Sequence, residues 1–325
     1  MTKKKSSLAA KYEGSGPASW GPKWYAKGIN LYPLRTVDFE NIQNIVKNHI
    51  LPGYVPSIPM LSINDNIITL GSCFAEELRK VLMNFNISSK NFWVPSGLNN
   101  TFALSDFVSW CITGKQTEQG YSYDRDEDGQ IREWMPKQER EEYQLYFKQA
   151  TAFIFTFGLA EVWEDKNTNK VFWRGVPEKI FNADNHVFRL TTVDENYQNM
   201  RNIIKLIRNV NPNVPIVYTL SPVPLKATFR PVSCMTADCV SKSILRIALD
   251  KIFTDNFPNV FYWPSFEMVK CLGCHIPEPA YGKDDGVSRH VSQFLVSMII
   301  KSFIDNFFDK ASVEKMGVML NTVEH

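Results

Sequence analysis

No apolar run in the chain is long enough to span a bilayer, and no excess of one charge marks it. Lysine and arginine together number 36 against 34 aspartates and glutamates, a net charge of +2. That balance gives no reason to expect nucleic acid or a membrane surface as a partner. The one dense basic run, Lys3-Lys4-Lys5, sits in a start rich in Ser, Gly and Pro and reads as a solvated terminus. A signal-peptide core is also missing, because Leu8-Ala9-Ala10 runs straight into Lys11. The expected location is therefore a reducing cytoplasm, with the six cysteines (73, 111, 234, 239, 271 and 274) as thiols rather than disulfides. Histidine is scarce, at five, so few side chains can act as a base near neutral pH.

What is present is the material for a large core: 325 residues, 44% of them hydrophobic. Residues 1–60 carry Gly, Pro and aromatics without a sustained period and read as an extension. Residues 61–310 read as the main domain, with a polar insertion at about 115–150, and residues 311–325 as a tail. Within the main domain, short β-branched or aromatic runs alternate with helical spacing. Asn66 to Leu70, Ala152 to Phe157, Pro215 to Leu220 and Val260 to Trp263 read as buried strands. Ala75 to Phe85, Thr101 to Ile112, Val193 to Val210, Ser241 to Phe253 and His290 to Phe307 read as helices. Asp124 to Gly129 suggests an exposed hairpin followed by a charged helix, and Asn167-Thr168-Asn169 a second hairpin turn. Alternating β and α with apolar strands predicts an α/β fold: a three-layer α/β/α sandwich about a mainly parallel sheet. Ligands on such sheets bind beyond the carboxyl ends of the strands, where Gly71-Ser72-Cys73, Gly158 and Ser221-Pro222 all fall.

A metal or a cofactor is not expected. Cys271-Leu272-Gly273-Cys274-His275 fits the spacing of covalent haem attachment, but that chemistry needs export and an axial partner. Cys234 and Cys239 would have to meet this segment to make a zinc site, and their C-x4-C spacing is loose. Ordinary thiols are the simpler reading. His186, after Asn185 in a polar stretch, reads as a local structural hydrogen-bonding residue.

Thr69 to Ala75 spells T-L-G-S-C-F-A. With Gly97 in V-P-S-G-L-N-N, F-T-F-G-L-A-E-V-W from Phe155, T-L-S-P-V-P-L-K-A-T from Thr219 and D-D-G-V-S-R-H-V-S from Asp284, it resembles the GSCFA family. That family is placed among the SGNH hydrolases, so the resemblance implies a flavodoxin-like sheet and acyl chemistry. It aligns Cys73 with the family's nucleophilic serine, Ser72 with the preceding Asp, Gly97 and Gly158 with the two later glycine blocks, and His290 with the catalytic histidine. The pattern departs in three places. Cys replaces the nucleophilic Ser, Ala160-Glu161 stand where Asn-Asp would be, and Asp285 precedes His290 by five residues rather than three. Asp284 is a second candidate for the carboxylate.

The same turn can be read without the family. A residue that follows a strand and opens a helix lies at the sheet edge, where the helix N-terminus favours an anion. At Cys73 that would lower the thiol pKa and supply N–H groups to an oxyanion, whereas Ser72 would cap the helix. Glu76 and Glu77, one turn on, oppose a thiolate unless they face away. The bland alternative leaves Cys73 a small buried residue and His290 a local partner of Asp285 or Ser288. Asn99 or Asn100 could replace the missing oxyanion amide, and Glu161 could hold the turn or a substrate hydroxyl. The expected function is an acyl hydrolase or acyltransferase: Cys73 attacks, His290 is the base and Asp285 its orienter. Backbone N–H groups of Cys73 and Gly97 would hold the oxyanion. Its expected substrate is a small-molecule or carbohydrate acyl ester, or an acyl thioester donor. The second expectation is a binding or scaffold protein on a degenerate SGNH fold.

Overall fold

A computed structural model describes residues 9–12, 23–26, 30, 32–33, 35–90, 92, 94, 97–115, 120–125, 128, 130–133 and 137–323. Side chains are not described at residues 9–12, 23–26, 73, 120–121, 124–125, 132–133, 137–138 and 318–323. The basic run at 3–5, the hairpin residues 126, 127 and 129 and the side chain of Cys73 thus lie outside the described residues.

The chain divides into two compact units, Met1–Pro52 and Gly53–His325. In the first, β1 (Ala9–Tyr12) pairs antiparallel with β2 (Lys23–Ala26), and α1 (Ile42–Ile45) begins a helical stretch that reaches Ile50. The division falls eight residues before the expected boundary at 60. Tyr54 explains the difference, because its hydroxyl accepts from Arg246 Nη2 at 2.9 Å and its ring meets that of Tyr262 at 5.5 Å, which binds this stretch to the second unit.

The second unit is built on a five-stranded parallel sheet. Its strands are β3 (Asn66–Gly71), β4 (Ser88–Lys90), β8 (Ala152–Phe157), β12 (Ile216–Leu220) and β13 (Val260–Trp263). They lie in the order β13-β12-β8-β3-β4, and every pairing is parallel. This is the α/β/α sandwich expected from the alternating pattern, and the strand segments expected from their apolar runs are neighbours. All six residues of the central β8 are buried, as a strand covered on both faces requires.

Period-two alternation divides the strands between two helical layers. Phe153, Phe155 and Phe157 face one layer with Ile216, Tyr218 and Leu220. Over them pack α3 (Thr101–Thr113), α4 (Lys137–Gln149), α5 (Val193–Val210) and α6 (Cys234–Thr254). The intervening Ile154, Val217 and Thr219 meet α2 (Cys73–Asn84) and α8 (Gln293–Phe307) through Phe74, Leu78, Ile299, Ile300 and Phe303. Burying each of these large apolar side chains contributes roughly 1.5–3 kcal/mol. The remaining helices are α7 (Ser265–Leu272) and α9 (Lys310–Val323). Most of the segment expected as a loose tail is therefore helical, and Met316 within it is buried.

A smaller sheet grows from the carboxyl edge, in the order β11 (His186–Leu190), β9 (Glu161–Asp165), β10 (Lys170–Phe172) and β5 (Gly120–Tyr121). β9 and β10 form the expected hairpin: Asn169 takes φ +56° and Asp165 Oδ1 accepts from Asn167 N at 2.8 Å. β11 was not expected, since its polar flanks at Asn185 and His186 read as a loop. Pairing with β9 makes it a strand, and His186 Nδ1 accepts from Asn182 N at 3.1 Å. β6 (Tyr123–Arg125) and β7 (Ile131–Glu133) pair antiparallel in the polar insertion.

Candidate active site

The chain enters the sheet at β3, runs outward to β4, then crosses back to β8 and continues to β12 and β13. The direction of winding reverses between β3 and β8, and a crevice at such a reversal is the natural ligand site of this architecture. Ser72 follows β3, Gly158 follows β8 and Ser221 follows β12, and all three line one cavity of about 600 Å³.

Close approach at this edge depends on two glycines. Gly71 takes φ +125°, and a Cβ there would lie 2.0 Å from the Thr156 carbonyl oxygen. That oxygen accepts the Ser72 N–H at 3.1 Å, so the turn is fastened to the neighbouring strand. At Gly158, a Cβ would lie 3.0 Å from the Asn99 carbonyl oxygen and 3.6 Å from the Ser72 Cβ. The Asn99 carbonyl in turn accepts from Gly158 N at 2.8 Å and Leu159 N at 3.1 Å. Ser72, Asn99 and Gly158 are thereby gathered at one point.

Ser72 is buried and is the N-cap of α2, its Oγ accepting from Phe74 N at 3.4 Å. Cys73 is the first residue of that helix, so its backbone stands where the N–H groups of the first turn are not used within the helix. Glu76 and Glu77 are engaged on the helix itself, Glu76 with Arg79 at 2.6 Å and Glu77 with Lys80 at 2.8 Å. The hydrogen bond from Arg79 holds the Glu76 carboxyl below its ordinary value and so keeps it ionised; what tempers the opposition of these acids to an anion at the turn is the positive charge of Arg79 and Lys80 beside them.

The two asparagines after Gly97 divide their tasks. Asn100 caps α3, its Oδ1 accepting from Ala103 N at 2.8 Å, and its Nδ2 donates to the Trp173 carbonyl at 2.9 Å. Asn99 borders the cavity, with no side-chain hydrogen bond to a described residue. Gly97 takes φ +72°, and its N–H is given to the Val94 carbonyl at 3.2 Å. Gly97 and Ser72 also line a second, smaller cavity of about 130 Å³.

His290 and Asp285 meet each other, with His290 Nδ1 and Asp285 Oδ2 2.5 Å apart. Both side chains are about half exposed, and the hydrogen bond from His290 lowers the Asp285 pKa. Asp284 is used differently: its Oδ2 accepts from Gln293 N at 2.8 Å at the start of α8. The helix expected from His290 begins instead at Gln293, capped by Ser292. Among the described residues that line the large cavity, this loop contributes Arg289 rather than His290.

The Ser221–Leu225 loop is held by side chains from three places. Tyr281 donates to the Pro222 carbonyl at 3.0 Å, Lys242 to that of Val223 at 2.9 Å and Arg289 to that of Pro224 at 3.0 Å. Lys242 is buried and also donates to the Gly158 carbonyl at 2.7 Å, which joins two strand ends through one ammonium. Burial lowers its pKa to about 8. Neither Lys242 nor Arg289 was singled out from the sequence. Both belong to segments whose spacing shows a helix or a loop but not what they reach.

Glu161 opens β9 with a buried side chain, and its Oε1 accepts from Arg230 Nη1 at 3.1 Å. Trp163, Trp173, Phe188 and Phe229 complete an aromatic wall of the cavity. Among the described residues, no three His, Cys, Asp or Glu side chains gather as a metal ion would need, and no helix is long and apolar enough to cross a membrane.

No curated protein matches the chain. Residues 66–303 match the model of the GSCFA family, which spans β3 through most of α8. The chain belongs to the GSCFA family.

Proposed function

From that membership we propose an acyl hydrolase or acyltransferase whose nucleophile stands in the turn at Ser72 and Cys73. The observation that carries the reading is the convergence of Ser72, Asn99 and Gly158 at the mouth of α2, in a cavity at the sheet's winding reversal. The nucleophile is Cys73. Its sulfur attacks the carbonyl carbon of an ester, thioester or acylated carbohydrate, and the thiol proton passes to His290, which Asp285 orients. Collapse of the tetrahedral adduct expels the alcohol or thiol with that proton and leaves a thioester on the enzyme. Water or an acceptor alcohol then releases the acyl group. In this reading the oxyanion is held by the Asn99 amide and the Cys73 backbone N–H, because the Gly97 N–H is already given to Val94. A reducing, cytoplasmic setting suits a thiol nucleophile.

The test is to incubate the full chain with p-nitrophenyl acetate and a short-chain acyl thioester and locate the adduct by mass spectrometry. The expected adduct lies on Cys73, is abolished by Cys73→Ala and remains measurable in Ser72→Ala. An adduct on Ser72 in an active Cys73→Ala protein transfers the role to the serine. A second reading, a non-catalytic binding protein, is favoured by one observation: Arg289, not His290, borders the cavity with Ser72. No adduct on either residue across both donor classes would select it.

A further inference from the structure

The large cavity is cationic although the chain as a whole is nearly balanced. Over all 325 residues the net charge is +2, yet Arg174, Lys226 and Arg289 line this one cavity against a single acid, Glu161. That acid is already matched, because Arg230 Nη1 donates to its Oε1 at 3.1 Å. Two acids of neighbouring segments are engaged elsewhere: Asp238 Oδ1 accepts from Leu225 N at 2.9 Å, and Asp285 holds His290. None of the three cations makes an ion pair with a described residue. Arg289 gives one N–H to the Pro224 carbonyl at 3.0 Å, and its guanidinium has further N–H groups in a rigid fork.

The three cations come from separate segments: Arg174 follows β10, Lys226 lies in the loop after β12, and Arg289 precedes α8. Like charges gathered in one cleft repel each other and raise the local concentration of anions. The backbone adds potential of the same sign, since α2 and α3 both begin at this cavity with their caps Ser72 and Asn100 on its wall. A concavity of about 600 Å³ suits a small molecule better than an acidic protein surface. Three cations exceed the single charge of a carboxylate. A phosphate ester carries about −1.5 to −2 near neutral pH with three strong acceptor oxygens, and a guanidinium can bind it through two parallel N–H groups. Apolar surface stands in the same cavity: Phe188 lies 5.3 Å from Trp163, and Phe229 lies 5.0 Å from Trp163 and 5.1 Å from Phe188, ring centroid to ring centroid.

Resting on the acyl-chemistry reading above, we propose that the substrate carries a phosphate group, which Arg289, Lys226 and Arg174 hold in the large cavity while the acyl carbon lies at the Ser72 turn. The aromatic wall takes the apolar part of the same molecule. The phosphate belongs either to the carrier of an acyl thioester or to a phosphorylated alcohol, and both present the same oxygens to the three cations.

Saturation-transfer NMR on the full chain tests this with four ring probes that differ in charge: phenyl phosphate, benzoate, benzyl alcohol and benzylammonium. Phenyl phosphate is expected to bind at least roughly tenfold tighter than benzyl alcohol, with benzoate between them and benzylammonium weakest. Arg289→Met should weaken phenyl phosphate about tenfold and Lys226→Ala about threefold, while neither changes the affinity for benzyl alcohol. Lys226 is exposed and makes no hydrogen bond to a described residue, so its variant keeps the test decisive should Arg289→Met disturb the Pro224 loop. Coenzyme A and glucose 6-phosphate then separate the two sources, the tighter of them marking the phosphate as that of a thioester carrier or of an alcohol. Benzoate, benzyl alcohol or benzylammonium binding as tightly as phenyl phosphate would overturn the assignment. So would no binding of phenyl phosphate, or binding indifferent to both variants. Acyl-adduct trapping with p-nitrophenyl acetate uses a neutral ester without phosphate. Phosphate binding can therefore fail while the acyl chemistry stands, and the reverse.

Discussion

At Gly71 one hydrogen atom in place of a methyl group allows the turn to close. The residue combines φ +125° with a backbone oxygen 2.0 Å from where a Cβ would be. Neither strain can be relieved by a side-chain rotation, because the obstructing atom is the carbonyl that fastens Ser72 to β8. Gly71→Ala is expected to destabilise the protein by about 3 kcal/mol or more, read as a lower urea midpoint. An unchanged midpoint would show that the turn is not built this way. The neighbouring asparagines make a matched pair. Asn100→Ala removes a helix cap and the bond to Trp173, so a stability loss of about 1–2 kcal/mol is expected. Asn99→Ala should leave the urea midpoint nearly in place but slow acyl-enzyme formation by about a hundredfold, the usual effect of deleting an oxyanion donor. Equal effects of the two variants on both measurements would remove Asn99 from the proposed chemistry.

Among the elements, α6 does more than cover the sheet. Through Lys242 it carries a cation into the interior, where the ammonium holds the carbonyls of Gly158 and Val223. Pro222 and Pro224 have no N–H to offer a sheet or helix, and the carbonyls at 222, 223 and 224 are satisfied by side chains from outside the loop. Burial lowers the Lys242 pKa to about 8 from the ordinary 10.5. The unfolded chain therefore binds more protons than the folded one between those pH values, and stability rises with pH across that window. Below pH 8 the burial cost is present in full. Comparing wild type with Lys242→Met from pH 7.5 to 10.5 by chemical denaturation isolates the effect. The difference between them should move in favour of wild type by on the order of 3 kcal/mol as pH rises. A pH-independent difference would place the lysine's pKa at its ordinary value.

At the scale of the whole sandwich, β8 is the middle strand of the five, buried along its length and paired on both sides. Amide hydrogen exchange should be slowest at residues 152–157 and faster in the short strands of the polar insertion, at 120–121, 123–125 and 131–133. Phe303 of α8, 2% exposed against Trp263 at 5.4 Å, fills the opposite layer. Phe303→Ala should cost about 3–5 kcal/mol, with the rate of acyl-enzyme formation in the folded fraction unaltered. Coincident loss of that rate would mean that the second layer shapes the site directly.

Local pattern carried the sequence reading a long way. β-branched and aromatic runs of strand length mark β3, β8, β12 and β13, the first three closed by glycine or Ser-Pro, and β–α alternation then requires the parallel sandwich. Val193 to Val210 coincides with α5 because its helical period is unbroken and Thr192 caps it. Patterns of this kind live within one element, where each residue's partners are a few positions away. The site is different, because its contacts join residues far apart in the chain. Asn99 and Asn100 both border the cavity, but Trp173, over seventy residues later, claims the Asn100 amide and leaves Asn99 as the one without a side-chain hydrogen bond to a described residue. That Asp285 rather than Asp284 meets His290 follows from α8 taking Asp284 at its first turn. Glu161 and Arg230 lie sixty-nine residues apart, and no periodicity links them. Neighbouring residues are enough to specify four of the five parallel strands, most of the helices that cover them and the glycine-ended turns, because backbone geometry and burial period are local properties. Which polar groups are consumed by capping and cross-links, and whether a polar stretch such as β11 pairs as a strand, depends on residues far apart in the chain, because hydrogen bonds are allotted once the layers have closed.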